Sequence, residues 1–130
     1  MQVVAPIDVE DALRLDLSAL LPAMRCYAPP ATDVRPRDLM VTRTGGAPAS
    51  AVTHEHDVSI DVWASSDAEA VSLADAACGV VGSLQLRETA TEWKGARTMT
   101  PYLNPDPDRP LLSRATFTAT LTCRGSSIEL

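Results

Sequence analysis

Apolar positions recur along this chain at two different periods, and the switches between them mark its elements. From Val9 onward, Leu13, Leu17, Leu20, Leu21 and Met24 recur at helical spacing and form one apolar stripe. Asp8 stands ahead of them as an N-cap, because its carboxylate can accept from the free N–H groups of a first turn. Glu10 and Asp11 fall where the helix dipole favours negative charge. A helix is expected over Asp8–Leu21, ended or kinked by Pro22. Residues 27–37 contain Pro29, Pro30 and Pro36, which forbid helix and leave an extended connector.

The period then drops to two. Asp38–Thr44 reads as a strand, and Gly45–Ala51 as the small-residue tip of a hairpin. The next strand spans Thr53–Ala64, with His56, Val58, Ile60 and Val62 on one face and Glu55, Asp57, Ser59 and Asp61 on the other. Ser66-Asp67-Ala68-Glu69 is a capping-box pattern that opens a second helix. Ala70, Val71, Ala74, Ala77, Cys78, Val81 and Leu84 give that helix its buried stripe, and Gly82 is its expected C-cap. Leu86–Leu103 reads as one long strand bent near Lys94-Gly95, followed by a stiff loop over Asn104–Pro110. Ser113–Arg124 alternates most cleanly: Ala115, Phe117, Ala119, Leu121 and Cys123 against a row of threonines and arginines.

The order α-β-β-α-β-β predicts an α+β fold: a two-layer sandwich with a four-stranded, mostly antiparallel sheet and two helices on one face. A chain of 130 residues makes one domain, with residues 1–6 as an N-terminal arm and 125–130 as a C-terminal tail. No apolar run reaches the ~20 residues of a membrane span, and no basic-then-apolar leader opens the chain. The expectation is a soluble protein acting where it is made, with no membrane partner.

Charge changes the picture more than composition does. The net charge is −6, and residues 44–86 carry six acids and no Lys or Arg, so the whole imbalance sits in that segment. A sequence-independent grip on nucleic acid needs a basic stripe, which this chain lacks. Cys26, Cys78 and Cys123 are odd in number and widely spaced, so free thiols are expected and neither a disulfide framework nor a zinc knuckle.

Candidate chemistry is sparse. His54 and His56 share a strand face and could share a metal, but no third ligand stands at a suitable spacing. Asp57 and Asp61 could be an acid–base pair, but no nucleophile accompanies them, so a solvated acidic face is the expectation. Phosphate loops and the common hydrolase and metalloprotease motifs are absent. The reading is no enzyme, no catalytic residue, no cofactor and no metal. Trp63 falls by alternation on the polar face, where an aromatic either makes a partner contact or packs under a loop at the strand end.

One resemblance covers nearly the whole chain. It rests on the capped first helix, the proline-rich connector, and Asp57-Val-Ser-Ile-Asp-Val-Trp-Ala64 running into Ser65-Ser-Asp-Ala-Glu-Ala-Val-Ser-Leu-Ala74. Asn104-Pro-Asp-Pro107 and the closing Arg114-Ala-Thr-Phe-Thr-Ala-Thr-Leu-Thr-Cys-Arg-Gly125 complete it. The chain resembles the tail terminator (tail completion, head–tail joining) family of long-tailed bacteriophages and their prophages. The resemblance implies a small α+β domain that assembles as a six-subunit ring in the virion, at the head–tail joint. It implies the tail tube protein and the head–tail connector protein as partners, with DNA passing through without specific binding. Glu55, Asp57 and Asp61 are then the candidate bore-lining acids. Gly45, Gly46, Ala47, Pro48, Trp63, Pro105, Asp106 and Pro107 are the candidate partner contacts. Another head–tail joint or minor tail protein shares the outline, and so does a non-viral, small-ligand-binding α+β dimer.

Overall fold

The computed structural model describes residues 1–130. In chain order its elements are β1 (Gln2–Ala5), α1 (Val9–Leu20), β2 (Arg25–Tyr27), β3 (Asp38–Pro48), β4 (Thr53–Ala64), α2 (Asp67–Gly82), β5 (Trp93–Thr98), β6 (Tyr102–Leu103), β7 (Ser113–Arg124) and β8 (Ser126–Glu129). Both helices begin where their caps place them. The Asp8 carboxylate accepts from the Asp11 N–H, and the Ser66 hydroxyl accepts from the Glu69 N–H. Ser83, and not Gly82, caps the end of α2; its hydroxyl donates to the carbonyls of Gly79 and Val80.

The α+β class holds, but the main sheet has six strands, not four. The order is β2-β3-β4-β7-β5, with β6 also paired to β7. All pairings are antiparallel except β2 with β3. One extra strand is β2, and the other comes from the stretch expected as one long strand. That stretch follows a 3-10 turn at Leu84–Leu86 and divides into β5 and β6. Its expected bend is present as a register shift between Trp93 and Gly95. The termini, read as a free arm and tail, pair with each other as an antiparallel ribbon from Gln2–Glu129 to Ala5–Ser126.

The helices cover one face of the sheet. Val58, Ile60 and Val62 of β4 and Phe117 and Leu121 of β7 are fully buried against Val9, Leu13 and Leu17 of α1 and Ala70, Ala74, Ala77 and Val81 of α2. The alanines let α2 lie close to β7. Truncating a core side chain such as Phe117 to Ala costs about 3–5 kcal/mol in a packed interior of this kind.

Gly45, Gly46, Ala47 and Pro48 are strand residues, which corrects their reading as a hairpin tip. β3 runs through them, pairing Gly45 with Asp57 and Pro48 with His54, and the turn lies beyond, at 49–52. The register slips between Arg43 and Gly45, and Gly46 takes φ +148 with the Glu55 carbonyl oxygen where a Cβ would stand. Only glycine meets both conditions. The glycine pair therefore marks a bulge inside the hairpin, not its end.

Candidate functional site

The face of the sheet away from the helices carries Glu55, Asp57, Ser59, Asp61 and Trp63 in one row along β4, because alternate residues share a face. The antiparallel register sets Thr122, Thr120, Thr118, Thr116 and Arg114 of β7 directly opposite them. Two of these pairs are bonded. The Thr120 hydroxyl donates to Asp57 Oδ1 at 2.9 Å, and the Thr116 hydroxyl donates to Asp61 Oδ1 at 2.6 Å. Asn104 Nδ2 in turn donates to Thr116 Oγ1 at 3.1 Å, so Asp61 ends a three-residue relay. Asp57 is exposed, while Glu55 and Asp61 are half-buried. The three expected bore acids thus stand on one water-facing surface, in a lattice of threonines.

The acidic stripe is narrow. Exposed Arg97 of β5 lies opposite Thr120 on the same face, and exposed Arg124 ends β7 beside Thr53. The remaining acids of the 44–86 segment, Asp67, Glu69 and Asp75, lie on α2 in the other layer. The negative segment therefore divides between the two sides of the molecule, three acids to each.

Trp63 is not a surface contact. It is 1% exposed, because the loop 104–112 folds over that end of the otherwise open face. Its Nε1 donates to Asp106 Oδ2 at 3.0 Å, and the Arg109 guanidinium lies 5.9 Å from the ring centroid. A buried indole N–H needs an acceptor, and the loop supplies one. Asp106 is likewise buried and so is not an accessible partner contact, whereas Pro105 and Pro107 beside it are exposed. Burial alone would raise the Asp106 pKa. The bonds from Trp63, Arg109 and the Asp108 N–H, with Arg114 nearby, hold it below the ordinary carboxylate value.

Two more buried aspartates work in the same way. Asp16 of α1 accepts from the N–H groups of Ala90 and Thr91 and from Trp93 Nε1. Asp38 accepts from the Arg25 guanidinium, the Tyr27 hydroxyl and the Arg35 N–H. Desolvation first, and then the Asp38 charge, push the Tyr27 hydroxyl up to about 12. These clamps escape sequence reading because their partners lie anywhere from 3 to 77 residues away, at spacings that form no motif. The available signal is the two tryptophans, each a donor needing a buried acceptor.

No group of three or more His, Cys, Asp and Glu side chains is arranged to hold a metal ion. Cys26, Cys78 and Cys123 are free thiols; burial raises Cys26 to about 11, far from a reactive thiolate. The widest depression, about 490 Å³, is an open groove between α1 and residues 88–90, and Asp16 at its wall is already fully engaged by the Trp93 clamp. No helix is long and apolar enough to cross a membrane. The chain matches no protein-family model, and no curated protein sequence matches it.

Proposed function

We propose that this chain is a structural assembly protein of a long-tailed bacteriophage, of the tail terminator kind. Six copies close into a ring that caps the tail tube and meets the head connector. The observation that carries the reading is the sheet itself. One face is sealed by two helices, and the other presents Glu55, Asp57 and Asp61 to water on a rigid threonine lattice. Carboxylates with no cation and at most one hydroxyl partner cannot be buried without a cost of several kcal/mol, so this face must stay wet or meet cations in any assembly. The bore of a ring that passes DNA is such a surface, and like charge keeps phosphates from sticking there. Six chains at −6 each place −36 on the ring. The exposed edges of β2 and β5 support closure, since unpaired edges invite further pairing and a ring covers them. The exposed strand residues Gly46, Ala47 and Pro48, with Pro105 and Pro107, are the docking points for neighbours.

Electron microscopy of the native assembly tests the reading. A closed ring seated on the end of a tail tube is the expected image. A stable monomer or a two-fold dimer in that assembly contradicts it.

A further inference from the structure

His56 is 1% exposed, and neither of its ring nitrogens has a hydrogen-bond partner. Nδ1 of His54, on the same strand face, is also buried and unpaired, with the two ring centroids 6.5 Å apart. Buried polar atoms are nearly always satisfied. An imidazolium at His56 would add a charge and a second unpaired donor, so this position favours the neutral ring.

The groups facing the pair offer little to a proton. Arg43 of β3 is a second cation, and Glu10 of α1 is engaged by the Arg43 backbone N–H. Cys123 and Leu121 of β7 stand opposite His54 and His56. Glu55 and Asp57 lie on β4, on the opposite face, and of these only Asp57 favours protonation of His56. Burial above all, then Arg43 and His54, holds the His56 pKa below its ordinary value.

The base of the terminal ribbon lies against His54. A Cβ placed on Gly125 would stand 2.5 Å from the Ala5 carbonyl oxygen, 2.7 Å from Val4 Cγ1 and 3.1 Å from His54 Nδ1. Pro6, just past β1, lines a cavity of about 210 Å³ together with Arg43, His54 and His56. The ribbon itself is held by four residue pairs and an exposed ion pair between the Met1 amine and Glu129, at the end away from the histidines. Two-stranded ribbons of that length are marginal alone.

We propose that the terminal ribbon is a proton-operated latch: it is closed over His54 while His56 is neutral, and protonation of His56 in mild acid releases β1 and β8 while the main sheet stays folded. The direction follows from linkage. A histidine whose folded pKa lies below its unfolded value of 6.5 gives its full stabilisation above 6.5 and loses it as pH falls toward the folded pKa. The ribbon yields first, because β1 and β8 pack chiefly against each other.

Hydrogen exchange of the full chain, corrected for intrinsic rates, tests the latch at about pH 7.5 and about pH 5.5, on either side of the histidine range. Protection of residues 2–5 and 126–129 is expected to fall in acid, by up to about tenfold, the ceiling for one histidine taken one pH unit below its ordinary value, while β4 and β7 keep theirs. The double variant H54Q/H56L should keep the ribbon protected at both values. A second measurement leaves the histidines in place. In Gly125→Val the ribbon base is displaced by the Ala5 carbonyl, and the His56 ring, followed by NMR, should titrate closer to its ordinary value than in the wild type. Equal ribbon protection at both pH values in the wild type overturns the latch. So does acid opening that persists in H54Q/H56L, or a His56 titration that Gly125→Val leaves unmoved.

Discussion

Asp106 and Asp57 are the same side chain put to opposite uses. Asp106 sits under the loop 104–112, bonded by Trp63, Arg109 and the Asp108 N–H. Asp57 stands in water on the open face with a single threonine hydroxyl. Asp16 and Asp38 resemble Asp106 in being buried among several donors: Asp16 gathers them from a segment far along the chain, and Asp38 from the paired strand β2 and the Arg35 N–H. Asp61 resembles Asp57, since its donor comes from a strand already paired to its own. The difference teaches where each acid acts. An aspartate ringed by fixed donors is spent on holding loops in place, and removing it strands those donors. An aspartate with one rotatable partner adds little to the fold and keeps its charge available for a partner or for repulsion.

The largest effect that tests this contrast is Asp106→Ala. It leaves the Trp63 N–H and Arg109 without their acceptor, and breaking a buried charged pair from one side costs about 3–5 kcal/mol. Urea denaturation measures it; a loss below about 1 kcal/mol, the value of an exposed pair, would place Asp106 among the surface acids. Asp16→Asn follows with about 1–3 kcal/mol, because one of its two acceptor oxygens becomes a donor facing other donors.

A smaller effect is expected from acid. The folded Asp106 pKa lies below its ordinary 3.8, so its stabilisation is complete above that value and is lost as pH falls through 3.8 toward the folded pKa. The stability gap between wild type and Asp106→Asn should therefore narrow below about pH 4. A gap constant with pH contradicts the assignment.

On the open face the scale drops again. Asp57→Asn should change stability by no more than about 0.5 kcal/mol, since Thr120 can still donate to the amide oxygen. The triple change E55K/D57K/D61K should likewise leave the fold intact, yet slow or stall DNA passage through assembled particles. Particles that deliver DNA at the wild-type rate with all three lysines would remove these acids from any role in the bore.

Much of the architecture is legible in the chain because it is periodic. The caps Asp8 and Ser66 place both helices, and the alternation through Val58-Ile60-Val62 and Ala115-Phe117-Ala119 sets both central strands and their buried face. What escapes is short or non-local. β2 is three residues long, and β1 and β8 pair the two ends of the chain across four-residue strands, β8 exposed throughout and β1 half-buried only at Val3 and Ala5. Gly45-Gly46 reads as a tip because glycines punctuate turns more often than bulges. For Trp63 the alternation gives the correct face. The face closes at that end because Asp106, far along the chain, brings a loop over it. The acids of the open face were legible for the same reason as the strand that carries them, and their threonine partners follow from the register alone.

The most direct test is a reconstruction of the assembled particle at side-chain resolution, read for which layer of each subunit faces the axis. The sheet face is expected to turn inward, with Glu55, Asp57 and Asp61 nearer the axis than Asp67 and Asp75 of α2. A ring with α2 toward the axis and all three sheet carboxylates on the outer rim would contradict it.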